Sequence, residues 1–318
     1  MNWDEIATKS PDAWFTHLDD WIMIETQWGV ESYSFQHDDI GIIPLFLVKK
    51  KGFRYLTSGY KGWGGPAFID NISARVAYYK IDELAKELKA DWIEISLPSL
   101  IYKNNPLIDY EYKNIQGKTS IIDLRLDENL LYKNIDKKCR YEIRKQEKLG
   151  LNITFTEATS LEDIKEYYKL HCDNYNRTNT SANPSWYFEE LWTRFYPKGI
   201  IKFFFIEEDG KKVAAASVAM WKGKAIYLTG ASLEDARNKG LNHYLQWCII
   251  KYLHKAGLTY YEMGEIDDST EKARNLGRFK ESFGGSLYII YKGIKIYKPW
   301  KYKLYNILKR IKLWFSKK

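Results

Sequence analysis

The chain has 318 residues, 45% hydrophobic and 28% charged, which excludes a disordered or fibrous protein and leaves room for one large domain or two ordinary ones. Three scattered cysteines (Cys139, Cys172, Cys248) exclude a disulfide framework. The net charge of +8 is concentrated at one end: residues 291–318 hold ten Lys or Arg and no acid, leaving residues 1–290 at −2. That distribution argues against general polyanion binding and for one anionic partner at that end.

The opening MNWDEIATKSPDAW is polar and acidic, unlike a secretory signal. No apolar run approaches the ~20 residues of a spanning helix, so a cytoplasmic compartment is expected. β-rich runs are predicted at 30–37, 40–48 and 53–58, with Asp38-Asp39 and Lys51-Gly52 as turns. The glycine-rich GYKGWGGP follows at 59–66, then a helix over 74–89 and a strand over 92–97. A basic amphipathic helix is predicted over 131–149. At about 100° per residue, Lys133, Lys137, Arg140, Arg144 and Lys148 share one stripe; Leu131, Tyr132, Ile135, Cys139, Ile143 and Leu149 lie opposite. A strand over 151–156 and a helix ending near Asn174 come next. Strands at 200–207, 213–221 and 225–230, a long helix over 236–256 and a strand over 259–264 then repeat the order of the first half. Gly257 sits where a helix terminator belongs. The recurrence predicts two copies of one α/β unit, the alternative being a single α+β domain.

Chemistry-bearing motifs are sparse. There is no G-x-x-x-x-G-K-[ST], G-x-S-x-G or H-E-x-x-H. His17, His37, His171, His243 and His254 show no metal-ligand spacing, so no metal is expected. RNKGLNH at 237–243 follows a predicted strand and opens the long helix. Unpaired amides and the positive end of the helix dipole at such a place suit a pyrophosphate. The same stretch also reads as an ordinary turn. In FKESFGG at 279–285, Phe279 and Phe283 stand four apart and anchor their helix, holding Lys280 beside the core. Taken alone, Lys280 reads as a solvated helix lysine.

Together these blocks resemble the Fem-type branch of the GNAT superfamily, the peptidoglycan-bridge aminoacyltransferases and related acetyltransferases of cell-envelope pathways. The resemblance is carried by KKCRYEIRKQEKLGL (137–151), NPSWYFEELW (183–192), GLNHYLQWCIIKYLHKAGLTYYEMG (240–264), GRFKESFGG (277–285) and, in the first half, IPLFLVKKKGFRYLTSGYKGWGGP (43–66). It implies an α/β fold of two tandem GNAT-like domains with mixed central sheets, at 1–118 and 119–290, followed by a basic amphipathic tail at 291–318. It implies that Lys280 stabilises charge during acyl transfer, with Glu262 or Glu265 taking the proton of the attacking amine. Arg177 and Tyr187 fall on the acceptor side, with Arg140 and Arg144 holding further phosphate. Arg237, Asn238, Gly240 and Asn242 fall on the donor side. No tightly bound cofactor is implied; the donor is acetyl-CoA or another acyl-CoA, or an aminoacyl-tRNA. The acceptor is an amine of a cell-envelope glycan or its lipid-linked precursor. Two departures stand out. Asn242 replaces the Gly or Ala usual late in the pyrophosphate loop, and the helical-hairpin insertion of bridge-building aminoacyltransferases is missing after 149. The competing readings are aminoacyl-tRNA-dependent transfer to the peptidoglycan stem peptide and a non-catalytic, membrane-associated polyanion-binding module.

Pro299 can start a last helix. From Trp300 on, Leu304, Ile307, Leu308, Ile311, Trp314 and Phe315 share one face, with Lys301, Lys309, Arg310 and Lys312 off it. That pattern predicts an interfacial helix over 299–315 on an anionic membrane, the inner face of the cytoplasmic membrane. Docking of the same face onto the protein body is the alternative.

Overall fold

The computed structural model describes residues 1–70, 74–148, 152–177 and 180–315, with side chains as far as Ile311. The chain divides into two compact units, Met1–Gly117 with Ile289–Lys318, and Lys118–Tyr288.

The first unit opens with α1 (Trp3–Lys9), α2 (Asp19–Gln27), β1 (Glu31–Ser32), β2 (Phe35–His37), β3 (Gly41–Ile43), β4 (Phe46–Lys50), β5 (Phe53–Ser58), β6 (Ala67–Phe68), α3 (Ala74–Glu87) and β7 (Trp92–Ser96). The expected strand at 40–48 is two. Pro44 has no amide for a ladder, so β3 joins β2 and β6 while β4 pairs with β5. β5 lies parallel to β7, with α3 as the crossover such a pair requires. Glu25 of α2 is buried and fastens the glycine-rich loop. One carboxylate oxygen accepts from Trp21 Nε1 (2.7 Å) and from the Lys61 amide (3.0 Å). Burial raises this carboxyl to about 7.

The chain enters the second unit within β8 (Lys113–Asp123), and that unit goes on through α4 (Glu128–Asn134), α5 (Lys137–Lys148), β9 (Ile153–Glu157), α6 (Leu161–Arg177), α7 (Ser185–Glu190), β10 (Ile201–Glu208), β11 (Lys211–Trp221), β12 (Lys224–Ser232), α8 (Glu234–Asn238), α9 (Leu241–Lys255), β13 (Tyr260–Ile266) and α10 (Glu271–Glu281). Its strands pair in the order β8-β13-β12-β11-β10-β9, antiparallel except for β12 with β13. α9 lies against this sheet and buries Leu241, Leu245, Ile249, Ile250 and Leu253 with Tyr261 and Met263 of β13. The order antiparallel pair, glycine-bearing loop, helix, parallel strand thus occurs as β4–β5–α3–β7 and again as β11–β12–α9–β13.

Two expected helices are broken. The amphipath at 131–149 is α4 and α5, because Ile135 is extended (ψ 140°) and the Asp136 amide bonds the Ser282 carbonyl (2.9 Å). Lys133 therefore leaves the stripe. The helix at 236–256 breaks at Gly240, whose φ of +83° takes it out of the helical region. Leu149 and Leu151, at the ends of an expected helix and strand, lie outside the described residues.

β14 (Ser286–Ile296) returns the chain to the first unit, pairing with β7, and α11 (Pro299–Phe315) follows. Residues 291–318 are therefore not a separate tail. Buried Asp91 accepts from Lys298 Nζ (2.9 Å), Lys301 Nζ (3.1 Å) and the Arg54 amide (2.9 Å). Tyr302 and Tyr305 pack on Trp92. The docked face is thus tyrosine and lysine, while Trp300, Leu304, Ile307, Leu308 and Ile311 remain exposed. The side chains of Lys312, Trp314 and Phe315 lie outside the described residues.

Candidate active site

The site begins with a strand defect. Ser217 of β11 faces Thr229, but Val218 faces Tyr227, so Leu228 is an extra residue bulged out of β12. A bulge bends its strand and sharpens the local twist. The parallel pairing of β12 with β13 stops at Ile226–Glu262, although the strands run on to Ser232 and Ile266. β13 slips against β8 between Glu262 and Glu265 as well. A notch opens between two strands that start as neighbours. Gly264 lines it, with φ +75°; a Cβ there would stand 3.4 Å from both Lys280 Nζ and the Tyr227 carbonyl oxygen.

Lys280 reaches this notch from α10. Thr270 caps the helix, its Oγ1 accepting from the Ala273 amide (3.0 Å). Phe279 and Phe283 meet edge to face at 5.1 Å, and His243 lies 5.2 Å from Phe279. So anchored, Lys280 is only 9% exposed, and its Nζ donates to the Glu265 carbonyl at 2.7 Å. Burial lowers its ammonium to about 8, against the opposing charges of Glu262 and Glu265. Glu262 is 3% exposed, whereas Glu265 is exposed. Lys280, Glu262 and Glu265 are thus brought together. Sequence reasoning missed Lys224, which pairs with Tyr260 and whose ammonium burial lowers while Glu262 opposes the shift. Only the β12–β13 register reveals that Lys224 and Glu262 share a face.

Of the residues expected on the acceptor side, Arg177 ends α6 in an exposed position, its Nη2 donating to Asn174 Oδ1 (2.7 Å). Lys272, also unforeseen, bonds Thr180 Oγ1 at 3.3 Å. Burial first, and then Arg177, lower its ammonium, which sets a second cation beside the arginine. Thr178 and Asn179 of the YNRTNT stretch lie outside the described residues. Tyr187 is 7% exposed and packs edge-on against Phe188, so most of its ring belongs to the core.

The expected pyrophosphate loop takes another form. Glu234–Asn238 is wound into α8, capped by Leu233 and Lys239, which consumes the amides of Arg237, Lys239 and Gly240 on the carbonyls of Leu233, Asp235 and Arg237. Glu234 and Asp235 favour this turn by placing acids at a helix N-terminus. Arg237 faces Glu234 at 3.5 Å, Asn238 is exposed, and Asn242 Nδ2 donates to Ser232 Oγ (3.0 Å). On α5, Arg140 bonds the Lys133 carbonyl and Arg144 is exposed. No hydrogen bond or ion pair among the described residues joins Arg140, Arg144, Arg237, Asn238 or Asn242 to Lys280.

Residues 133–281 match the sequence family described as an acetyltransferase (GNAT) domain. No curated protein sequence matches the chain. Among solved structures, FemX superposes with a TM-score of 0.75 at 18% identity, over 95% of this chain and 97% of that one. A C-terminal domain assigned to a lysylphosphatidylglycerol synthetase in Agrobacterium fabrum gives 0.62 at 13% identity, over 92% and 89%. L-PGS from Bacillus licheniformis gives 0.60 at 13% identity, over 85% and 84%. At these identities the likeness is one of fold.

Proposed function

We propose that this chain, an acyltransferase of the Fem-type GNAT branch, transfers an activated acyl group to an amine of a cell-envelope glycan or its lipid-linked precursor. The observation that carries the reading is the Lys280 ammonium, fixed at the notch where β12 and β13 part. The amine attacks the acyl carbon, a C–N bond forms, and the bond to the thiol or ester oxygen of the donor breaks. Lys280 faces the oxyanion; one preorganised donor of this kind is worth about 3 kcal/mol. Glu262, held among Lys224 and Lys280, takes the amine proton directly or through water, with exposed Glu265 as the alternative base. Arg177, seconded by Lys272, holds acceptor phosphate. Arg140 and Arg144 hold further acceptor phosphate, and Arg237, Asn238, Gly240 and Asn242 face the donor.

The donor reading is an acyl-CoA, supported by the GNAT family match. The second reading, aminoacyl-tRNA-dependent transfer to a peptidoglycan stem peptide, draws support from α8, which removes amides that a CoA diphosphate would use. No feature of the site favours a non-catalytic binding module. The exposed face of α11 supports a seat on the anionic inner face of the cytoplasmic membrane. The likeness to a lysylphosphatidylglycerol synthetase domain supports an acceptor at that surface. No described helix is long and apolar enough to cross a membrane. The reading is tested by incubating the protein with labelled acetyl-CoA, or with charged tRNA, and amino-sugar lipid precursors. An acylated precursor is expected by mass spectrometry; an unmodified precursor with both donors counts against the reading.

A further inference from the structure

Helix α5 is strongly basic, yet one acid on it, Glu142, forms no hydrogen bond or ion pair among the described residues. Its Oε2 is buried and unsatisfied. Lys138 and Lys145, four and three residues away on the same helix, offer nearby cations, but Glu142 points instead to the start of α9. There it packs on Gly240: a methyl group added to that glycine would run into the Glu142 carboxylate and stand 2.9 Å from its Cβ. Gly240 is the N-cap of the 15-residue α9, where the first amides of a helix have no intrahelical partner and the dipole is positive. Gln146, one turn further along α5, fixes the contact by donating to the Lys239 carbonyl at 2.5 Å. His243, on the first turn of α9, feels the Glu142 charge and stands against Phe279, the neighbour of Lys280.

A carboxylate thus stands against the N-cap of α9, the helix end at which a donor diphosphate is expected. We propose that Glu142 is the donor-selecting residue of this site: it occupies the anion seat at the α9 N-terminus, and a CoA-linked donor binds only by displacing it. The inference rests on the acyl-transfer reading for its meaning, but it concerns binding and is tested by binding. In the unliganded parent, like charge and occupied space both oppose a diphosphate. Removing the side chain frees both.

The test is titration calorimetry of the full chain with CoA, and in competition with inorganic pyrophosphate, for the parent, Glu142→Ala and Glu142→Gln. Each variant is checked for an unchanged thermal midpoint. Glu142→Ala is expected to tighten CoA binding by at least about tenfold, with the gain shrinking at high salt. Glu142→Gln, which keeps the shape and removes the charge, falls between. Pyrophosphate should compete only where CoA binds. Equal CoA affinity in all three proteins, or no CoA binding by any, overturns the proposal. Neither result bears on Lys280, whose role is read from turnover.

Discussion

Lys280 is a buried cation that must stay charged to stabilise an oxyanion. Because burial lowers it to about 8, it is protonated at neutral pH and loses its charge as pH rises through that value. Single-turnover acyl transfer is therefore expected to fall along an alkaline limb centred near 8. Lys280→Arg, whose guanidinium stays charged, should lose that limb even if its rate is lower. A limb unmoved by the substitution would assign it to another group. At this scale the sequence was informative where spacing alone fixes position. Phe279 and Phe283, four apart, placed Lys280 against the core, whereas Glu262 came only from the resemblance to the family. Lys224, Lys272 and Glu142 were invisible, since each matters only through a partner on another element. Tyr187 resembled a substrate-facing residue but is mostly core, because its ring meets Phe188 rather than open space.

At the level of elements, the notch depends on the bulge at Leu228 and on a glycine at 264 in the left-handed region. Gly264→Ala carries both a backbone penalty of about 1 kcal/mol and a methyl group 3.4 Å from Lys280 Nζ. It should lower turnover by more than its small loss of thermal stability explains. An unchanged rate would detach Gly264 from the reaction centre. Alternating strand and helix patterns predicted most of the strand and helix order, yet the helix breaks at Ile135 and Gly240 were missed. A tertiary bond from the Asp136 amide to Ser282 won over the local amphipathic period in one case, and a positive φ did so in the other. Glu25 offers an independent check on the first unit. Its carboxyl ionises near 4.5 when unfolded and about 7 when folded, so the folded state holds more protons between those values. Stability should therefore fall as pH rises from 4.5 to 7, by at most about 3 kcal/mol. Glu25→Gln should flatten that slope in urea titrations taken across the range; a parallel slope in the variant would place the titrating group elsewhere.

For the whole molecule, charge and surface act together. The body is near neutral and the basic excess lies in β14 and α11, where Asp91, Tyr302 and Tyr305 dock one face of the helix and leave the aliphatic face outward. The sequence showed the aliphatic stripe but not the tyrosine face that holds the helix to its unit, because the partners of those tyrosines, Trp92 and Phe53, are remote in the chain. Flotation with vesicles rich in phosphatidylglycerol should recover the parent protein, and Ile307→Glu with Ile311→Glu should abolish recovery while leaving the fold intact. Recovery of that double variant at parent level would show that α11 does not touch lipid.

The central claim is that acyl transfer takes place at the Lys280 notch, and turnover of Lys280→Ala tests it most directly. Measured with the donor and acceptor that the parent uses, and with folding verified by an unchanged thermal midpoint, the variant should transfer the acyl group about 10²-fold more slowly. Transfer at the parental rate would contradict the account.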